Sequence, residues 1–196
     1  MRIVVATKNK GKIKEIQHIL KDLPVQVLSQ DDLDIKTDVE ETGSTFEENA
    51  LIKAREIQKM CNEVTIADDS GLEVDYLNGA PGIYTARYAG EGATDIDKMN
   101  KLIKELDGVP LENRTARFVC AIAAVFPDGK KIVVRGECEG LIAFEPVGEK
   151  GFGYDPLFYL PQYQATMAQI EDELKNTISH RAKALALLKK ELYKLD

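Results

Sequence analysis

The chain has 196 residues, 44% of them hydrophobic and 30% charged, with a formal net charge of −7. That size supports one domain, of one or two lobes, with a real core. The net acidity argues against general nucleic-acid binding, which needs cations in excess to neutralise phosphates, yet it leaves room for a small phosphorylated ligand held by a few lysines.

Residues 2–6 are apolar and predict a short buried strand. After the polar stretch Thr7–Lys12, Ile13, Ile16, Ile19 and Leu20 share one face of a predicted helix. Val25–Leu28 predicts a second strand, and residues 29–43 are acidic and irregular. Ser44 with Glu47, or Thr45 with Glu48, has capping-box spacing for a helix whose stripe is Phe46, Ala50, Ala54 and Ile57. Val64–Ala67 predicts a third strand ending in the turn Asp68-Asp69-Ser70-Gly71. Residues 78–82 form a turn-rich loop. Ile96, Met99, Leu102, Ile103 and Leu106 mark another helix, stopped by Gly108 and Pro110. Residues 115–126 and 130–139 predict a hairpin turning at Pro127-Asp128-Gly129. A glycine- and aromatic-rich loop spans Gly148–Pro156, a short helix is expected near 166–173, and a longer one from about Ser179 buries Leu185, Leu188 and Leu192. The order predicts an α/β fold with a mixed sheet.

Cys61, Cys120 and Cys138 have no C-x-x-C spacing, which disfavours a disulfide framework or structural zinc. Cys120 and Cys138 could meet across the hairpin, but reduced thiols are the better reading. With no signal-peptide pattern and no membrane-length apolar run, a cytoplasmic protein with no membrane partner is expected.

Five stretches could carry chemistry. Thr7-Lys8-Asn9-Lys10-Gly11-Lys12 lies between a strand and a helix start, where amides and lysines favour an anion. The alternative is a solvated turn, and the spacing is not that of a P-loop. The Asp68-Asp69 pair at a strand end needs something to offset its mutual repulsion, and Mg²⁺ takes such hard oxygen ligands. An Asx-turn would also account for it. Glu40-Glu41 could join Asp69 around a metal, or simply complement the following helix dipole. In Gly151-Phe152-Gly153-Tyr154-Asp155-Pro156 the glycines permit close backbone approach and the aromatics can stack on a base or pack into the core. Ser179-His180-Arg181 fits a helix cap followed by surface residues, although Arg181 could also read a purine edge. His18 reads as surface.

The order of these motifs resembles the inosine triphosphate pyrophosphatase (Ham1) family: T-x-N-x-x-K, E-E-T-G-x-T-F-x-E-N-A, A-D-D-S-G-L-x-V-D, G-A-P-G-I-Y-T-A-R-Y-A-G, G-F-G-Y-D-P-x-F and S-H-R. The similarity runs from Arg2 to about Leu192. It implies a single two-lobed domain over residues 1–196, with an elongated central mixed β-sheet and helices forming two lobes around a cleft. It also implies a homodimer, with the exposed Ile83–Tyr88 region as a plausible contact, and Mg²⁺-dependent release of pyrophosphate from non-standard purine triphosphates. By the resemblance, Thr7, Lys8, Asn9, Lys10, Gly11 and Lys12 bind the triphosphate, and Glu40 and Asp69 bind metal. Asp69 matches the catalytic base and Ser70 a substrate contact. Phe152, Gly153, Tyr154, Asp155, Lys175, His180 and Arg181 match positions that recognise base and substrate. Gln169 departs from the pattern, standing where an acidic residue is expected.

Overall fold

The structure is a computed structural model and describes residues 2–194. Arg2–Val5 forms β1, and Asn9 then caps α1, Lys10–Leu20, by accepting from the Gly11 and Lys12 amides. Gln26–Ser29 is β2. Thr45 caps α2, Phe46–Cys61, by accepting from the Glu48 amide, while Glu48 accepts from the Ser44 amide and hydroxyl. The capping thus draws on Thr45 and Glu48, with Ser44 bonded to the same Glu48 carboxylate. Val64–Val74 is β3 and Asp95–Glu105 is α3, the latter entered through a capping box of Thr94 and Asp97. Thr115–Val125 (β4) and Lys131–Ile142 (β5) flank the turn foreseen at residues 127–129, where Gly129 takes a φ of 86°. Phe158–Leu160 (β6), Ala165–Thr166 (β7), Asp172–Ile178 (α4) and His180–Tyr193 (α5) complete the chain.

The sheet has seven strands in the order β2-β1-β3-β4-β5-β6-β7. β1 is parallel to β2 and β3, whereas β5–β6 and β6–β7 are antiparallel. This is the mixed α/β sheet the sequence predicts. The chain divides into two compact units, Met1–Ser70 with Cys120–Gly136 and His180–Asp196, and Gly71–Val119 with Glu137–Ser179. The first buries Ile3, Val5, Ile16, Leu20, Ile66, Ile122, Leu185 and Leu188. The second buries Leu72, Val74, Leu102, Leu106, Ile142 and Leu157 around Phe118 and Phe158, whose ring centroids lie 4.3 Å apart. Cys61, Cys120 and Cys138 form no disulfide. Among the described residues no helix is long and apolar enough to cross a membrane.

Three local expectations are corrected. β3 does not stop at Ala67 but runs through Asp68-Asp69-Ser70-Gly71 to Val74, buried along most of its length. Aspartate, serine and glycine read as a turn because they bond readily to their own backbone, but here the two carboxylates find partners elsewhere. The helix expected near 166–173 is β7 and a 3₁₀ turn, Met167–Gln169, with α4 beginning only at Asp172. Gln169 accepts from the Thr166 amide, a capping role that glutamine fills as well as an acid. Ile96 is 65% exposed because it sits in the first turn of α3, one turn before Met99, where the buried stripe begins.

Gly136 on β5 lies against α5 so closely that an added Cβ would meet the His180 carbonyl oxygen at 2.3 Å and the Ala184 amide nitrogen at 2.4 Å. Both are backbone atoms and cannot swing aside. Gly136→Ala should lower the unfolding free energy by about 1–3 kcal/mol through overpacking. Urea denaturation measures this, and an unchanged midpoint would refute the contact.

Candidate active site

The Thr7–Lys12 stretch is organised by its own side chains. Thr7 Oγ1 accepts from the Asn9 amide at 3.2 Å, and Asn9 Oδ1 accepts from Gly11 and Lys12 amides at 2.9 and 3.2 Å. These bonds fix the strand-to-helix passage and satisfy two of the four orphan donors of α1. The three lysines then part. Lys10 is exposed, Lys8 pairs with Asp38 at 2.6 Å, and Lys12 reaches inward to Asp68 at 2.9 Å. A pocket of about 220 Å³ opens beside them, with Thr7, Lys8, Lys12, Asp38, Glu41 and Lys53 among its lining residues.

Asp68 and Asp69 are neighbours on a strand, so their side chains leave it on opposite faces. Asp68 is fully buried and its Oδ2 meets Lys12 and Arg181, the latter through Nε at 3.4 Å and Nη2 at 3.3 Å. Burial pushes its pKa up, but the charges of Lys12, Arg181 and Lys53 outweigh that and hold the carboxyl well below the usual range. Asp69 has other company. Its Oδ2 accepts from Asn49 Nδ2 at 3.1 Å, its Oδ1 accepts from the Ser70 amide at 3.0 Å, and Lys53 lies 3.7 Å from Oδ1. Burial is the largest influence and raises its pKa, Lys53 opposes it, and the Glu41 charge adds to the rise. One carboxyl is therefore held as an anion more firmly than usual, and the other less firmly.

Lys53 also pairs with Glu41 at 2.8 Å, which brings Glu41 and Asp69 to one ammonium. Glu40 is exposed. The acid that shares a cation with Asp69 is thus Glu41, the second of the pair. Asn49, 2% exposed, spans the gap: its Oδ1 accepts from the Gly43 amide at 2.8 Å while its Nδ2 holds Asp69. Glycine at position 43 makes room for this approach, because a Cβ would stand 2.7 Å from both Asn49 Oδ1 and Glu48 Cβ and 3.0 Å from the Asn49 backbone nitrogen.

Arg181 is 2% exposed and donates four hydrogen bonds among the described residues, two to Asp68, one to Glu15 at 2.6 Å and one to Ser70 Oγ at 3.2 Å. His180 is also buried, and Ser179 stands between α4 and α5 with extended backbone. His180 and Arg181, expected at the surface after a cap, are therefore interior. His18 is exposed, as expected.

The second unit carries the remaining predicted positions. Asp155 Oδ2 accepts from Lys175 at 2.7 Å and from the Phe152 amide at 3.0 Å. Gly151 has a φ of 75°, and a Cβ there would fall 2.0 Å from Asp155 Oδ2. The Gly153 amide donates to Asp95 at 2.8 Å. The two aromatics divide: Tyr154 is buried with its hydroxyl donating to the Thr85 carbonyl, while Phe152 is 45% exposed with Lys175 5.2 Å from its ring centre.

A model described as the Ham1 family matches residues 3–191. The chain belongs to the Ham1 family. A protein of Geobacillus kaustophilus named dITP/XTP pyrophosphatase is 53% identical over 95% of this chain and 91% of its own length. One of Bacillus cereus with the same name is 47% identical over 97% and 94%. The solved Ham1 protein of Staphylococcus aureus superposes with a TM-score of 0.91 at 46% identity, covering all of both chains. Within this Ham1 chain, three residues escaped the reading of the sequence as site candidates: Glu15, Asn49 and Lys53. Asn49 and Lys53 had a signal, because they fall at i and i+4 beside the apolar positions Ala50 and Ala54 of α2, where polar side chains enter the interior.

In the metal-free protein, Asp69 should titrate above the ordinary value of 3.8, and Lys53→Met should move it higher still by removing the charge that opposes the rise. Carboxyl ¹³C NMR follows both. A lower value in the variant would contradict the electrostatic picture.

Proposed function

We propose that the chain hydrolyses non-standard purine nucleoside triphosphates (ITP, dITP and XTP) to monophosphate and pyrophosphate, cleansing the nucleotide pool. The reading rests on near-full-length identity of 47–53% to proteins named dITP/XTP pyrophosphatase. The chemistry of the first unit agrees with it. Lys8, Lys12 and Lys53 line a pocket of suitable charge for phosphate oxygens. Asp69, with its raised pKa and its carboxylate held by Asn49, orients a water and accepts its proton as the oxygen attacks the α-phosphorus. The bond from the α-phosphorus to the bridging oxygen breaks, and pyrophosphate leaves with that oxygen.

The donor set also fits Mg²⁺. Asp69 and Glu41 are hard oxygen donors on one ammonium, and the Asp69 carboxyl, raised in pKa chiefly by burial, would gain from a cation beside it. No group of three His, Cys, Asp or Glu is assembled among the described residues, but Mg²⁺ needs only one or two carboxylates when phosphates supply the rest. Asp69 and a carboxylate of the Glu40–Glu41 pair would hold it, and it would supply charge neutralisation at the phosphates.

For base selection, a 6-carbonyl accepts a hydrogen bond where adenine presents an amino donor. Arg181 has five N–H groups and four contacts among the described residues, which leaves a donor for such a carbonyl. Taken within the second unit alone, Phe152 has an exposed ring face on which a flat base can stack. We further propose a cytoplasmic homodimer associating through the segment Ile83–Tyr88, where Tyr84 is 56% exposed beneath Arg87. Sedimentation should then show a dimer that Tyr84→Asp weakens, and a monomeric parent would sink this part.

The deciding assay is product identity over inosine, xanthosine, guanosine and adenosine triphosphates. Pyrophosphate is expected, with inosine and xanthosine triphosphates preferred, while orthophosphate or equal rates would overturn the proposal. Asp69→Asn should cost about 10²–10⁴-fold in kcat, and chelation should abolish turnover until Mg²⁺ is restored.

A further inference from the structure

Asp68 and Asp69 look alike in the sequence, yet among the described residues only Asp69 accepts from Asn49 and lies within ion-pair distance of Lys53. Asp68 has no exposed side-chain surface, and one of its oxygens, Oδ2, receives Lys12 from α1 and Arg181 from α5. Its other oxygen has no hydrogen-bond partner among the described residues. A buried carboxylate survives only with cations against it, and this one has two on a single atom. They differ in freedom. Arg181 is 3% exposed in its side chain and is also tied to Glu15 and Ser70. Lys12 is 17% exposed, has no second ion pair among the described residues, and lines the 220 Å³ pocket.

We propose that Asp68 is a positioning residue that holds Arg181 in place and restrains Lys12, releasing Lys12 to phosphate when that pocket fills. The proposal rests on the pyrophosphatase reading above. Phosphate oxygens entering the pocket compete with Asp68 for one ammonium. When Lys12 turns to them, Asp68 keeps Arg181 as its partner and remains compensated. Phosphate capture is weakened by that competition, and the guanidinium is kept at a fixed place opposite Ser70.

The two functions of Asp68 give opposite signs on its removal, which simple damage to the fold does not. In the Mg²⁺-loaded enzyme, Asp68→Asn should tighten inhibition by inorganic pyrophosphate about fivefold or more, since Lys12 no longer has a competing anion. The same variant should reduce the ratio of kcat/KM for inosine over adenosine triphosphate by about fivefold or more, since Arg181 loses its anchor. Weaker or unchanged pyrophosphate inhibition overturns the proposal, and so does an unchanged ratio. If the variant does not fold, a crystal structure of the unmodified protein with pyrophosphate decides. Lys12 on a phosphate oxygen and beyond ion-pair distance from Asp68, with Arg181 unmoved, is the expected result, and a retained Lys12–Asp68 pair overturns it. A parent enzyme that releases no pyrophosphate from inosine triphosphate would instead defeat the functional reading itself.

Discussion

A carboxylate with no access to water organises the first unit. Asp68 on β3 collects Lys12 from the start of α1 and Arg181 from the start of α5. Removing one partner from such a group typically costs several kcal/mol, because the charge left behind is uncompensated. The elements that bring those partners are therefore held in register by electrostatics as well as by the apolar cluster of Ile16, Leu20, Leu185 and Leu188. Glu15 completes the arrangement by giving Arg181 a second anion.

Adjacent residues of the same type acquire opposite acid–base character in this fold. Both are desolvated, which favours the neutral form. Around Asp68 two cations win that contest, and around Asp69 one ammonium, shared with Glu41, does not. This follows the general pattern in which paired titratable groups are driven apart by their surroundings and so divide acid–base work. Asn49 adds direction, since an amide can donate to Asp69 with one end and accept from Gly43 with the other.

Much of the fold was legible because its elements obey simple periods. The stripe Phe46, Ala50, Ala54 and Ile57 is buried as read, and the parallel strands near the N-terminus are short and apolar. The hairpin turn at residues 127–129 carried its own turn chemistry. Illegibility began where polar residues enter the interior. Asp68-Asp69-Ser70-Gly71 has turn composition, and only long-range partners such as Arg181, 113 residues away, reveal a strand. Likewise Arg181 and His180 read as surface following a cap, because nothing local shows that Asp68 and Glu15 await them. Phe152 and Tyr154 could not be separated by composition, since one ring is buried by the Thr85 carbonyl contact and the other is left exposed.

The continuity of β3 across its acidic pair makes the identity of each carboxylate a matter of parity. A sheet has a side-chain period of two, so a shift of one residue exchanges the faces. Deleting one residue between Val64 and Ala67 would set Asp69 where Asp68 now meets Lys12 and Arg181, and inserting one would set Asp68 where Asp69 now meets Asn49 and Lys53. The composition would be almost unchanged, while the partners of each carboxylate would not be. The strand is held against that slip by pairings such as Ile66 with Val5 of β1. In that sense the β-ladder stores which aspartate is which, information that neither side chain carries by itself.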